Sequence, residues 1–394
     1  VRVAFLTPEF VSERRTGGGL GHYLRRMTRA LREAGHEPEV FALSREAPRP
    51  IEWEGVRVER VRRTDDTRAG RALLRLCRVT GLRPLEPAVA MLGNARALAR
   101  ALEGRHARAP FDWVQSADYE GAGLFVRRRA GRPHLVRASS VAELWSAADG
   151  FSSARRRWLQ RLELACLRRA DVAYAPSRFV ADAFARRHGL TLAVVRPPVF
   201  PDAEPSDAPL PELPKRYLIH FGNLSPRKGT AVLAEALPLA WRDEPELTVV
   251  LAGRDRHGRL PGWRALWGRQ GERVIWLGEL EKPVLYAALR GAEAAVLPSL
   301  VDNLPNTAIE SLLFGVPVIG TDGASFDELV EPGVHGELVP AGDANALARA
   351  MLRAWRGTGV RRGFRWDSAT AEAMRPRRAV ASLLRLAADA GVPD

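Results

Sequence analysis

The chain has 394 residues, with 60 Lys+Arg against 46 Asp+Glu for a formal net charge of +14, and only two cysteines. That length exceeds one ordinary core, so two domains are expected; Cys77 and Cys166, far apart and outside any Cys/His metal spacing, argue against a disulfide framework and a zinc module. No charged-then-apolar leader opens the sequence and no apolar run reaches the roughly 18 residues a membrane span needs, so a cytoplasmic protein is expected.

In chain order, VRVAFL reads as a buried strand. A glycine run, TGGGLGHYL (16–24), joins it to a helix that places Leu24, Met27, Leu31 and Ala34 on one face and ends at Gly35; EVFAL is the next strand. Residues 196–215, RPPVFPDAEPSDAPLPELPK, have no hydrophobic period and read as a boundary. Beyond it YLIHFG, LTVVLAG, RVIWLG, AAVLP and PVIGT are short apolar runs bounded by Gly or Pro, with helices expected at 230–241, 283–291 and 306–314. This alternation implies parallel α/β sheets with ligands beyond the carboxyl ends of the strands. The expected division is 1–200, a linker at 201–215, 216–370, and a C-terminal helix at 371–394 that returns to the first domain. The whole charge excess lies in residues 1–205, which carry 37 Arg against 23 acids.

Three stretches carry chemistry. The glycine run lets the backbone and a helix start approach an anion, although it misses both the dinucleotide and the P-loop fingerprints. HFGNLSPRKGT (220–230) presents Arg227 and Lys228 before a helix, a planar fork and a point charge suited to a diphosphate; Lys228 is one of only three lysines, with Lys215 and Lys282. PSLVDNLPNTAIESLLFGVPVIGTD (298–322) sets Asp302 and Glu310 across a helix start. Carboxylates repel phosphate but accept hydrogen bonds from vicinal diols, so the two acids suit sugar hydroxyls. Pro305 is expected in the first helical turn, leaving the amides of Asn306 and Thr307 to a phosphate. The competing assignment makes Asp302 a helix cap and Glu310 a surface acid.

Together these segments, with SRFVADAFARRHG (177–189), resemble the retaining GT-B glycosyltransferases of family GT4, in the branch that carries DNLPN. The resemblance implies two Rossmann-like domains facing across a cleft. It also implies transfer from a nucleoside-diphosphate sugar to a hydroxyl acceptor, in polysaccharide, glycolipid or natural-product assembly. Carried over, Gly18 and Gly19 lie against the donor phosphates, Lys228 with Arg227 holds the diphosphate, Glu310 binds the ribose and Asp302 lies near the transferred sugar. Asn303, Asn306 and Thr307 join the donor site, and the peptide around Gly278 to Leu280 reads the base. Three positions depart from the pattern: Asp302 replaces the usual Glu, Asn223 stands where an arginine is usual, and Ser139 takes the place of a histidine, with Arg137 two residues earlier on the acceptor side.

No D-x-D occurs, so no metal and no cofactor are expected, and the cations would stabilise the leaving diphosphate. In the expected retaining step the leaving phosphate oxygen takes the acceptor's proton; a double displacement through Asp302 is the alternative. RALLRLCRVTGLR (71–83) and RRRWLQRLELACLRRA (155–170) carry much of the positive charge. In the latter, Trp158, Leu162, Ala165 and Cys166 share a face that is expected either to pack on the core or to meet the inner face of the plasma membrane and a lipid-linked acceptor. Zinc fingers, RNA-recognition signatures and aromatic platforms are lacking, so nucleic acid is not an expected partner. The rival readings are a nucleotide-sugar epimerase or phosphorylase on the same architecture, and a non-catalytic nucleotide-sugar-binding protein.

Overall fold

The computed structural model describes residues 1–13, 18–139, 144–145, 148, 154–207, 213–255 and 257–391, the side chains of 154–157 excepted. Thr16 and Gly17 of the glycine run therefore lie outside the described residues. The chain forms two compact units, Val1–Ala142 with Ser152–Val199 and Ala373–Asp394, and Glu143–Phe151 with Phe200–Glu372.

In the first unit the strands are β1 (Arg2–Thr7), β2 (Glu37–Ser44), β3 (Ile51–Trp53), β4 (Val56–Arg62), β5 (Trp113–Ala117), β6 (His134–Arg137), β7 (Val172–Ala175) and β8 (Ala193–Val194). They form one sheet in the order β3-β4-β2-β1-β5-β6-β7-β8, parallel except for the β3–β4 hairpin. The helices are α1 (Gly19–Glu33), α2 (Arg68–Val79), α3 (Glu86–His106), α4 (Ala154–Arg168) and α5 (Arg178–His188). Leu24, Met27 and Leu31 of α1 are buried on Phe5, Val40 and Trp113, whereas Ala34 is the exposed C-cap residue and Gly35 takes the left-handed φ of +81° that ends the helix.

The second unit holds β9 (Leu218–Phe221), β10 (Val249–Ala252), β11 (Val274–Gly278), β12 (Ala295–Leu297), β13 (Val318–Thr321) and β14 (Gly336–Val339), all parallel in the order β11-β10-β9-β12-β13-β14. Its helices are α6 (Thr230–Asp243), α7 (Leu260–Trp267), α8 (Lys282–Gly291), α9 (Asn306–Leu313) and α10 (Ala344–Arg356). Leu237 and Trp241 of α6 and Leu347 and Met351 of α10 fill one face with Leu218, Val249 and Val296. After α11 (Ala369–Ala373), α12 (Pro376–Ala390) joins the first unit, where Val380, Leu383 and Ala387 share the core of α1.

The two basic stretches differ. On α4, Cys166 and Leu167 are buried while Trp158 is 47% exposed with Arg161 stacked on it at 5.0 Å. On α2, Leu74 and Cys77 face inward, but Leu73, Leu76 and Val79 are 48%, 56% and 76% exposed, and Arg68, Arg71 and Arg75 are exposed along the same helix.

Candidate functional site

The carboxyl ends of β9 and β12 bring the two charged motifs together. After β9 the chain turns at Gly222, makes a short 3-10 turn over Pro226–Lys228, and enters α6 through Gly229 at φ +67°. A Cβ on Gly229 would lie 1.8 Å from the carbonyl oxygen of Pro298, so only glycine lets this turn lie on the loop after β12. Leu300 N–H donates to the Arg227 carbonyl at 2.8 Å and fixes the same contact. The result is that Lys228 Nζ donates to Asp302 Oδ2, while Asp302 Oδ1 accepts from Asn303 N–H at 3.0 Å. Asp302 is only 6% exposed.

Glu310 is also buried, 3% exposed, one turn into α9. Its Oε1 accepts from Lys282 Nζ and, at 3.3 Å, from Tyr286 Oη. Lys282 Nζ further lies 4.0 Å from Asp202 Oδ2, and Asp202 N–H donates to Tyr286 Oη at 3.4 Å. Each acid of the motif thus holds one lysine. The sequence reading missed Lys282, Tyr286 and Asp202; the available signal was the rarity of lysine and the four-residue spacing that puts Lys282 and Tyr286 on one side of α8.

Two expectations about this segment are corrected. Pro305 is the N-cap residue rather than first-turn, with φ −67° and ψ 107°, and α9 begins at Asn306. Asp302 lies three residues outside that cap and Glu310 is buried, so neither a capping aspartate nor a surface glutamate describes them. The start of α9 has no side-chain cap, which leaves the Asn306 and Thr307 end of the helix as a donor-rich terminus. A Cβ on Gly222 would lie 3.5 Å from Thr307 Cγ2, so the β9 turn and the helix start adjoin. Ser325 donates to the Asn303 carbonyl at 2.6 Å from a left-handed backbone, φ +63°, that follows Ala324 at +49°.

Arg227 points to Trp145, its guanidinium 4.2 Å from the ring centre, and donates weakly to the Val301 carbonyl at 3.5 Å. Asn223 is exposed. Gly278, at φ +68°, accepts from Gly253 N–H at 2.6 Å, and the exposed Trp276 donates through Nε1 to the Gly253 carbonyl at 2.9 Å, beside Leu280 in chain order.

In the first unit Gly18 caps α1 and Gly19 starts it; a Cβ on Gly18 would lie 2.4 Å from Glu9 Oε1, so that carboxylate lies against the glycine loop. Ser139 N–H donates at 2.7 Å to Asp118 Oδ1, whose carboxyl burial pushes up to about 6. Arg137 ends β6 under the ring of Tyr23, at 4.1 Å. Among the described residues no group of His, Cys, Asp and Glu could hold a metal ion.

These elements define the GT-B architecture of two parallel-sheet α/β domains, and solved structures agree. Over 99% of this chain and 97% of the other, the sucrose-phosphate synthase of Thermosynechococcus elongatus superposes with a TM-score of 0.67 at 21% identity. Anabaena HepE in complex with UDP and glucose gives 0.67 at 18% identity, over 98% and 99% of the two chains.

Residues 18–198 match the glycosyl transferase 4-like domain and residues 215–356 match the glycosyl transferases group 1, and with most of its length so assigned the chain belongs to the GT4 type of GT-B glycosyltransferases. It is 31% identical to the phosphatidyl-myo-inositol mannosyltransferase of Mycobacterium leprae over 172 residues, 43% of this chain and 45% of that one. It is 27% identical to the lipopolysaccharide core biosynthesis mannosyltransferase LpcC of Rhizobium leguminosarum over 224 residues, 55% and 62% of the two. The matches therefore span about half the length of these curated relatives.

Proposed function

We propose that the protein transfers a hexosyl unit from a nucleoside-diphosphate sugar to a hydroxyl acceptor, with retention of anomeric configuration and without a metal ion. The observation that carries this reading is the pairing of Lys228 with Asp302 beside the uncapped start of α9. A diphosphate competes for the ammonium and the helix-terminal amides, and the released carboxylates are acceptors for sugar hydroxyls. Glu310 then takes the ribose, Asp302 faces the transferred sugar, and the Gly278–Leu280 peptide lines the base. Lys228 and Arg227 stabilise the charge that develops on the leaving diphosphate. The bond from the anomeric carbon to that oxygen breaks as the acceptor oxygen bonds on the same face, and the acceptor proton passes to the departing phosphate oxygen. Mannosyltransferase relatives, and the structural neighbour HepE in complex with UDP and glucose or with UDP-glucose, support a hexose donor of this kind.

The acceptor side of the reading is a hydroxyl presented at an anionic lipid surface, supported by the exposed Leu73, Leu76 and Val79 beside arginines on α2. The test of the core reading is acceptor-dependent release of nucleoside diphosphate. The protein is incubated with UDP-, GDP- and dTDP-hexoses with and without lipid and sugar acceptors, with Lys228→Ala as control. Release that needs an acceptor and Lys228 supports transfer; interconversion of the donor sugar without acceptor, or no turnover of any donor, overturns it.

A further inference from the structure

Arg137 is 7% exposed, at the carboxyl end of β6, and its guanidinium lies 4.1 Å from the centre of the Tyr23 ring. Nε is buried without a hydrogen-bond partner, and no hydrogen bond or ion pair joins the guanidinium to any described residue. The aromatic and amide groups packed beside it are neutral. The hydroxyls of Tyr23 and Tyr174 lie 3.0 Å apart and donate to Gln115 Oε1 at 3.0 and 2.7 Å, and burial raises both phenols above their ordinary value. The neighbouring carboxylate, Asp118, accepts from the Ser139 N–H; it feels the Arg137 charge electrostatically but forms no hydrogen bond or ion pair with the guanidinium among the described residues.

A guanidinium taken out of water without hydrogen bonds is costly, far more so than one that is fully paired. Its always-charged, planar fork matches the two oxygens of a phosphate or carboxylate, and the aromatic face of Tyr23 holds the cation in place without consuming its N–H groups. The position is at the end of a parallel strand, where ligands of such sheets bind.

We propose that Arg137 is an oxyanion-binding residue, its guanidinium receiving a phosphate or carboxylate carried by a substrate of the transfer reaction. The inference rests on the proposed transfer only in that the anion belongs to one of the two substrates, the donor's diphosphate or an anionic acceptor.

The test measures binding of UDP, GDP and inorganic phosphate by calorimetry and by thermal shift, in wild type, Arg137→Met and Arg137→Lys, with Lys228→Ala alongside. Loss of a buried cation that makes no hydrogen bond leaves free Arg137→Met melting at or above the wild-type temperature, with at least about tenfold weaker anion binding. Arg137→Lys keeps the charge without the fork and lies between the two. If the donor supplies the anion, the variant binds the nucleotide more weakly, and UDP-saturated wild type takes up no phosphate that depends on Arg137. If an acceptor supplies it, nucleotide affinity is unchanged, and phosphate uptake by the UDP-saturated protein is lost with Arg137→Met. Unchanged affinity of the variants for every probe overturns the proposal, as does destabilisation of the free protein by both substitutions. Nucleotide binding that needs Lys228 but not Arg137, with no phosphate uptake, overturns this inference while leaving the transfer reading standing.

Discussion

Lys228 and Asp302, 74 residues apart in the chain, are joined by a direct ion pair between the turn after β9 and the loop after β12. Without Lys228 the Asp302 carboxylate, 6% exposed, keeps the Asn303 N–H as its hydrogen-bond partner among the described residues. Lys228→Ala is therefore expected to cost about 1–3 kcal/mol of stability and to weaken nucleoside-diphosphate binding at least tenfold. Asp302→Asn preserves shape and releases the lysine, so donor affinity is retained while transfer falls by roughly 10²-fold. Calorimetry and turnover on the two variants check the separation; equal loss of binding in both would contradict it.

Lys282 and Glu310 give a crossed pair of expectations. Lys282→Ala takes the cation away from two acids whose side chains are 3% and 1% exposed, Glu310 and Asp202, whereas Glu310→Ala leaves Lys282, 29% exposed, with Asp202 and solvent. Thermal melts should accordingly rank Lys282→Ala as the less stable variant, by about 1–2 kcal/mol. Nucleotide affinity should rank the other way, because Glu310 is the proposed ribose acceptor. The same rank order in both measurements would mean that the cluster is purely structural.

Gly229→Ala tests the close approach beneath Lys228. With φ at +67° and the new Cβ 1.8 Å from the Pro298 carbonyl oxygen, the substitution must displace the turn or the β12 loop. A loss of about 1–3 kcal/mol is expected, read as a lower melting temperature, and donor binding weakens with it because Lys228 is displaced from Asp302. A melting temperature equal to that of wild type would show that the approach is not constrained.

Stability should fall on mild acidification. Burial holds His134 down at about 3 and His220 at about 4, against an ordinary value of 6.5. Between those values and 6.5 the unfolded chain binds the extra protons, so stability rises with pH across the window and is lost as pH falls through it. Asp118 acts oppositely: raised to about 6 from 3.8, it keeps its proton in the fold while the unfolded chain has released it, so its term falls as pH rises from about 4 to 6. Two histidines outweigh one acid. Asp118→Asn, whose amide oxygen still accepts from Ser139 N–H, removes the opposing term. Melting curves from pH 4 to 7 should therefore steepen and end higher at pH 7 than those of wild type; parallel curves would contradict the assignment.

The sheets and the charged motifs were legible because they are local. An apolar run between glycines is a strand whatever surrounds it, and Lys228, Asp302 and Glu310 stand out by residue type and spacing. What surrounds those groups depends on tertiary contact. The partner of Glu310 comes from α8, 28 residues earlier, and that of Asp302 from a turn 74 residues away, so neither pairing follows from a pattern. β14, GELV at the sheet edge, has Gly and Glu where an apolar run was sought, and its pairing with β13 supplies the strand geometry. The basic stretch 71–83 reads as amphipathic, but the packing alone decides that Leu74 and Cys77 are covered and Leu73, Leu76 and Val79 are not.

That exposed ridge leads to an expectation about membranes. Leu73, Leu76 and Val79 are separated by three residues each, so they follow one side of α2, with the exposed Leu82 just beyond its end. Arg68, Arg71 and Arg75 are exposed on the adjoining side, and Arg78 is paired with Glu86. A helix lying in the plane of an anionic bilayer seats its apolar side among the acyl chains and its guanidiniums on lipid phosphates, each worth about 1 kcal/mol near the surface. No described helix is long and apolar enough to cross a membrane. Co-sedimentation with vesicles containing phosphatidylglycerol should therefore be salt-sensitive and weaker on zwitterionic vesicles. Leu76→Asp, which removes apolar contact and adds a like charge, should reduce binding at least tenfold without lowering the melting temperature, since the side chain is 56% exposed. Self-association or capture of a protein partner through this ridge, with no vesicle binding, would assign the surface to protein contact instead.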